Sequence, residues 1–449
     1  YIVSGMASGD GLTRCVMAEL PTRPLQSLAD LQHFDARNNN PIPPFQFNLI
    51  GNGSANPLFA PDQVSVTTPF NNGMCNDDTY MLNHLLFDDW FVSSIAPDLR
   101  DFSSGTRRSI NNVYRDHLNL TTPLPNRFYL PSNDAAVVDG REDIAQSVTN
   151  ALAVTRDSRT GMFPFEFIGS KLEVEGMFNI NSVSRDAWRA LLRQSRRADV
   201  AYLANNGGTL TAPASNYPYP RTSIAGDLGS DSGSGQSNAT FPHAAEFAGH
   251  RVLTDAQIDA LADGIVNEIQ RRGPFLSLSE FVNRQLSNDR QLAIASTIQR
   301  ALDNLAALGN SPNNPFRVLQ ENSVVINALP AGTTHDYKFP EAAFGSSAFG
   351  VPGWIRQADI LRPLAPILSA RDDTFTIRGY GDSRERGNPN RILARAWCEV
   401  VVQRKADYVD PVDPAAVAPF STRMTSSANL RFGRRFQIVS FRWLSESEV

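Results

Sequence analysis

The chain has few cysteines, scattered histidines, little net charge and no long apolar run. Each shortage removes a class of function. Of 449 residues, three are cysteine: Cys15, Cys75 and Cys398. Their spacing excludes a zinc finger or a CxxC redox site. Cys15 and Cys75 can pair in an oxidising compartment, whereas Cys398 lies in a strand-like run and packs there as a small apolar residue. The six histidines, His33, His84, His117, His243, His250 and His335, form no HxH or HxxxH pair, so a metal site needs a tertiary coincidence. His243 and His250 bracket Glu246, which makes them the better zinc cluster, beside a Gly/Ser-rich segment. A net charge of −5 gives no electrostatic case for nucleic acid or an acidic membrane surface. No window of ~18 apolar residues is present to span a membrane. There is no G-x-S-x-G elbow or P-loop. Asp231-Ser232-Gly233 spells one aspartic-protease loop, but that chemistry needs two carboxylates sharing a proton.

What is present is the composition of a folded protein, with 41% apolar and 19% charged residues, and a length that favours two or three domains. The 29 prolines and 29 glycines gather in loops, which fits an extracellular or envelope protein with long connections. The chain opens at Tyr1 in YIVSGMASGDG, mid-pattern, which suggests a processed or truncated product whose upstream part held any export signal or anchor. Three glycosylation sequons begin at Asn52, Asn119 and Asn238, a pattern short enough to arise by chance.

Four segments are expected. Residues 1–165 alternate short apolar patches with loops around one helix, Asp77 to Phe91, capped by Asn76 or Asp77, with Met81, Leu82, Leu85, Leu86 and Trp90 as its stripe. Residues 166–310 read as helical. A helix near Asn181 to Arg196 is capped by Asn181, Ser182 or Ser184, and Arg193, Arg196 and Arg197 suit its C-terminal end. From Thr254 to Arg272, a capping box of Thr254 and Gln257 precedes the stripe Ile258, Leu261, Ala262, Ile265, Val266 and Ile269, stopped by Gly273-Pro274. Ser277 and Glu280 repeat the box, and a last helix covers Arg290 to Leu308. Ile144 to Ala153 reads as a short helix and Gly226 to Asn238 as a flexible loop. Residues 311–371 form a Pro-rich bridge.

Residues 372–449 carry the strongest pattern. Thr374 to Tyr380, Ile392 to Gln403 and Phe436 to Leu444 read as strands, the first two joined by a polar segment with Gly381, Gly387 and Pro389. In the second, Ile392, Ala394, Ala396, Cys398, Val400 and Val402 alternate with a mixed, partly charged set. That pattern suits a sheet with one face on a core and the other meeting solvent or a partner. The expected class is α+β, an antiparallel sheet made largely by the C-terminal strands. The residues singled out for assembly contacts are Trp397, Val401, Phe436, Phe441 and Trp443. Arg431, Arg434 and Arg435 read as a solvated edge guard. Asp77 and Asp78, with Asn76, are the candidate calcium ligands, off the EF-hand spacing and equally suited to capping their helix; Asp227 and Asp231 form a second such cluster.

Several phrases together resemble one family. They are ELPTRPLQSLADLQHFD, IGNGSANP, NDDTYMLNHLLFDDWFVSSI, LEVEGMFNINSVSRDAWRALL, GPFLSLSEFVNRQL and IRQADILRPLAPILSARDDTFTIRGYGD running to RAWCEVVVQRKADYVDP. In that order they resemble the C-terminal half of the Verru_Chthon cassette protein A family, bacterial proteins from gene cassettes that also encode pilin-like proteins. FNINSVSRDAWRALL followed by GPFLSLSEFVN also resembles the helical domain of the K-type minor pseudopilin of type II secretion, and FTIRGYGD and ARAWCEVVVQR resemble its final strands. The resemblance implies a pilin-like sheet interrupted by an inserted helical domain, and a non-enzymatic structural subunit of an exported pilus-like or pseudopilus-like assembly. It implies an extracellular or envelope location, and as partners pilin-like proteins of the same cassette or further copies of itself. The hydrophobic N-terminal pilin helix has no counterpart in this sequence. An adhesin or ligand-binding module is the alternative reading, and a secreted hydrolase built on His243, Glu246 and His250 the third.

Overall fold

The computed structural model describes residues 2–5, 14–18, 24–34, 50–55, 77–101, 106–131, 168–169, 172–196, 199–203, 209–213, 216–222, 225–226, 249–308, 316, 355–413, 417 and 424–448. They form a mixed helix-and-sheet structure in two compact units, Tyr1–Pro131 with Val174–Ala370, and Ser132–Glu173 with Arg371–Val449. The candidate helix Ile144 to Ala153 and the loop Gly226 to Asn238, apart from Gly226 itself, lie outside the described residues, as do Cys75, His243 and Glu246.

The first unit is organised around helices α1 (Asp78–Leu86), α2 (Ile110–Leu118), α3 (Arg185–Leu192), α4 (Asp255–Arg272), α5 (Leu278–Val282), α6 (Arg290–Ala293), α7 (Thr297–Ala306) and α8 (Gln357–Leu364). Helix α4 follows from its sequence residue by residue. Thr254 and Gln257 close a capping box, and Ile258, Leu261, Ala262, Ile265, Val266 and Ile269 are all buried on one face. Helix α3 takes Ser184 as its cap, and Trp188 and Leu192 are wholly buried. Asn181, one of the other expected caps, instead clamps two segments: its side chain donates to the Phe275 and Ala370 carbonyls and accepts from the Phe275 amide at 2.7 Å. The box expected at α5 is shifted. Ser277 accepts from Glu280 N, but Glu280 reaches back to Leu276 N, and the carboxylate of Asp88 takes the Leu278 and Ser279 amides.

Three expectations are corrected. One core joins Leu28, Ala29, Ile50 and Phe87 to Trp188, Ile265, Phe281 and Ile298 and to Ile355, Ile360, Leu361 and Leu364. The end of the Pro-rich bridge is therefore interior, as helix α8 with Pro363 inside it. The buried side of α1 holds only part of its apolar stripe: Met81 is buried and Leu82 and Leu86 are half-buried against the core, but Leu85 and Trp90 are exposed, while Asn83 is fully buried. The helix expected from Arg290 to Leu308 is split into α6 and α7, because Ile294 to Ser296 pair with an N-terminal loop. Ala55 N donates to Ile294 O at 2.7 Å and Ser296 N to Gly53 O at 2.6 Å. That backbone approach needs a glycine, since a Cβ on Gly53 would lie 2.2 Å from Ser296 Oγ and 2.3 Å from Val282 O.

Around this loop runs a buried amide network. Asn83 accepts from Gly51 N and donates to Asn52 O and to Asn283. Asn52 accepts from Ala358 N and donates to Gln32, which donates to Asp359 at 2.7 Å. Gln357 donates to the Gly51 and Val282 carbonyls and accepts from Ser296 Oγ at 2.6 Å. Each member is satisfied by another, which is the condition for burying amides without penalty.

The second unit carries a three-stranded antiparallel sheet of Thr374–Glu385, Asn388–Tyr408 and Arg434–Leu444, with the longest strand in the centre. The strands run beyond their expected ends to a two-residue turn, Arg386-Gly387, with Glu385 opposite Asn388. Helix α9 (Ser427–Phe432), capped by Ser426, precedes the last strand. Asp413 ties this connection by accepting from Thr425 N, Ser426 N and Asn429 Nδ2.

Gly53→Ala is expected to lower stability by about 3 kcal/mol, through displacement of Ser296 or the Val282 carbonyl, whereas Gly381→Ala, with open space around it, is expected to stay within about 0.5 kcal/mol. Urea denaturation of the two variants checks this; equal midpoints would refute the close approach.

Burial pushes His117 down to about 4 from its ordinary value. The unfolded chain therefore binds the proton first, and stability falls as pH drops from about 6.5 towards 4, by up to about 3 kcal/mol. His117→Gln is expected to flatten that part of the stability–pH curve, measured as urea midpoints between pH 7 and pH 4.5.

A candidate interaction surface on the C-terminal sheet

Pairing fixes which side chains share a face. Gly379, Ile377 and Phe375 stand opposite Cys398, Val400 and Val402, and these stand opposite Trp443, Phe441 and Ile438. A bulge between Val401 and Val402 makes Val439 the extra residue of the last strand, so Ile438 and Val439 together oppose Val402. The result is one apolar face, with Phe441 against Trp443 edge-on at 5.3 Å and Phe375 6.5 Å from Phe436.

The other face is a charge ladder. Glu399 accepts from Arg442 Nε and from Arg378 Nε, both at 2.9 Å, and these hydrogen bonds, Arg442's first, hold its carboxyl below the usual range. Tyr380 and Trp397 lie 5.6 Å apart beside it.

The expectation that one face rests on a core is not met among the described residues. Phe375, Ile377, Phe436, Ile438, Val439, Phe441 and Trp443 are 41–69% exposed, while on the central strand Cys398, Val400 and Val402 are only half-buried. An apolar patch of this kind on a folded protein makes this face the candidate contact surface. Of the residues singled out from sequence, Phe436, Phe441 and Trp443 share this face. Trp397 and Val401 sit on the opposite one, Trp397 across from Leu444 and Val401 between Thr376 and Ser440. Phe375, Ile377, Ile438 and Val439 were missed. The alternation in TFTIRGY, read in register with the small side of the central strand, was the signal for the first two. The edge-guard reading holds for Arg435, which pairs with Asp407, but Arg434 is half-buried over the Tyr408 ring at 4.0 Å.

Asp77 is the cap of α1, accepting from Tyr80 N, and its second oxygen takes Arg284 Nε and Nη2 at 3.2 Å in a buried ion pair. Both oxygens of Asp77 are thus committed within the protein, and Asp78 is the first residue of α1. Among the described residues no group of three His, Cys, Asp or Glu side chains is placed to hold a metal. A cavity of about 560 Å³ in the first unit is lined by Arg108, Ser195, Tyr219, Asp359 and Arg362 among others. Three of its polar groups are engaged: Arg362 pairs with Asp30 at 2.7 Å, Arg108 pairs with Asp116, and Tyr219 donates to Leu192 O. No helix among the described residues is long and apolar enough to cross a membrane. No family model matches the chain, and neither the curated proteins nor the solved structures compared with it yield a match.

Asp77→Ala is expected to lower stability by about 3 kcal/mol, because Arg284 loses the carboxylate it is buried against. A chelator is expected to leave the melting temperature of the unaltered protein unchanged; a fall on chelation, read by calorimetry, would return calcium to this site.

Proposed function

We propose that this chain is a non-enzymatic structural subunit of an exported, pilus-like or pseudopilus-like assembly at the cell surface. One observation supports the reading: the C-terminal sheet turns Phe375, Ile377, Phe436, Ile438, Val439, Phe441 and Trp443 to solvent on a single face. A free face of this size is unfavourable in water and becomes favourable against a neighbour. The neighbours fitting the reading are pilin-like proteins or further copies of the chain. The contacts are hydrophobic, led by the aromatic side chains, while the charge ladder of Arg378, Glu399 and Arg442 stays in water as the solvated face.

Imaging of native envelopes with a tagged chain tests the proposal. The label is expected along, or at the end of, a surface structure. Trp443→Asp, with unchanged circular dichroism, is expected to reduce incorporation at least about 10-fold. Label confined to a soluble pool, or undiminished incorporation of the variant, overturns it.

A further inference from the structure

The partner of the apolar face can be specified further, in an inference that rests on reading that face as an assembly surface. We infer that it docks on the same face of a second copy, sheet against sheet, in a two-fold pair.

Area is the first argument. Four half-exposed aromatic side chains and three half-exposed aliphatic ones present on the order of 700 Å² of apolar surface, close to the ~800 Å² per partner of a standard interface. Charge is the second. The charged pair found on this face, Arg404 with Asp373 at 2.5 Å, is neutral as a pair and lies at its end, level with Phe436. A face without net charge does not repel its own copy, whereas the ladder face would set Arg378 and Arg442 against their duplicates.

Shape is the third. One end of the face is bulky, with Phe375, Phe436 and Ile438. At the other, the first and central strands are shallow, where Gly379, Gly381, Ala396 and Cys398 meet and a Cβ on Gly381 would touch nothing, while Trp443 stands beside Cys398 on the last strand. A two-fold axis lying between the sheets and crossing the strands at the Val400 row sets Phe375 of each copy over the Gly379 hollow of the other, and Ile438 of each against Trp443 of the other. That is the self-complementarity an isologous interface requires. Sheets packed face to face lie about 10 Å apart, which puts the two Val400 positions near that distance.

The test uses the whole chain. Sedimentation is expected to show a dimer at micromolar concentration. Phe441→Ser with Trp443→Ser is expected to raise the dissociation constant at least about 10-fold, and Val401→Thr on the opposite face to leave it unchanged. Because the double variant can misfold, a second measurement is independent of it. With Cys15, Cys75 and Cys398 replaced by serine, Val400→Cys is expected to form a covalent dimer with a bismaleimide of about 10 Å reach, and Thr376→Cys is not. A monomer at every concentration, or cross-linking through Thr376→Cys alone, overturns the inference. A monomer that still enters surface structures in a Trp443-dependent way overturns self-docking and leaves the assembly reading standing. A cross-linked dimer with no surface structure supports the pairing and overturns the assembly reading.

Discussion

The first unit depends on burying amides without leaving any of them unpaired. The loop at Gly51 to Gly53 passes through the interior with nothing apolar to offer, and is held there by Asn83, Gln357 and Ser296. Each of these side chains is itself held by the loop or by a neighbour. Remove one, and two or three buried polar groups lose their partners together, at roughly 1–3 kcal/mol each. The apolar core around Trp188, Ile265 and Leu361 supplies the bulk of burial, but the amides dictate which segments meet. They explain why Asn83 rather than Leu85 faces inward, and why the helix after Arg290 breaks.

The second unit follows the opposite logic. Its long strands pair along most of their length, yet its apolar side chains lack a covering layer among the described residues. The two faces of one sheet divide the labour, with ion pairs keeping one in water while the other remains available. Whatever binds the apolar face also stabilises the sheet by mass action, so the sheet's stability depends on its occupancy.

Legibility in the sequence tracks the physical source of each feature. Helix α4 could be read to the residue because capping and a 3.6-residue stripe are local, and the C-terminal strands could be read because alternation is local too. The burial of Asn83, the split at Ile294 and the burial of helix α8 could not, since each results from packing or pairing with segments far away in the chain. For the interaction surface, the small apolar side of the central strand was visible in its alternation. What was not visible was register. Choosing the largest residues one by one put Trp397 and Val401 with Phe436, Phe441 and Trp443, although pairing separates them onto opposite faces.

The amide network also has a consequence in time. Gln357 and Ala358 close on Gly51 and Asn52 across 306 positions of sequence. At ribosomal speeds of roughly 5–20 residues per second, the loop waits on the order of tens of seconds before its partners exist. During that interval the early part of the chain lacks the side chains that lock it. A nascent protein in that condition becomes rigid only once its late segments arrive.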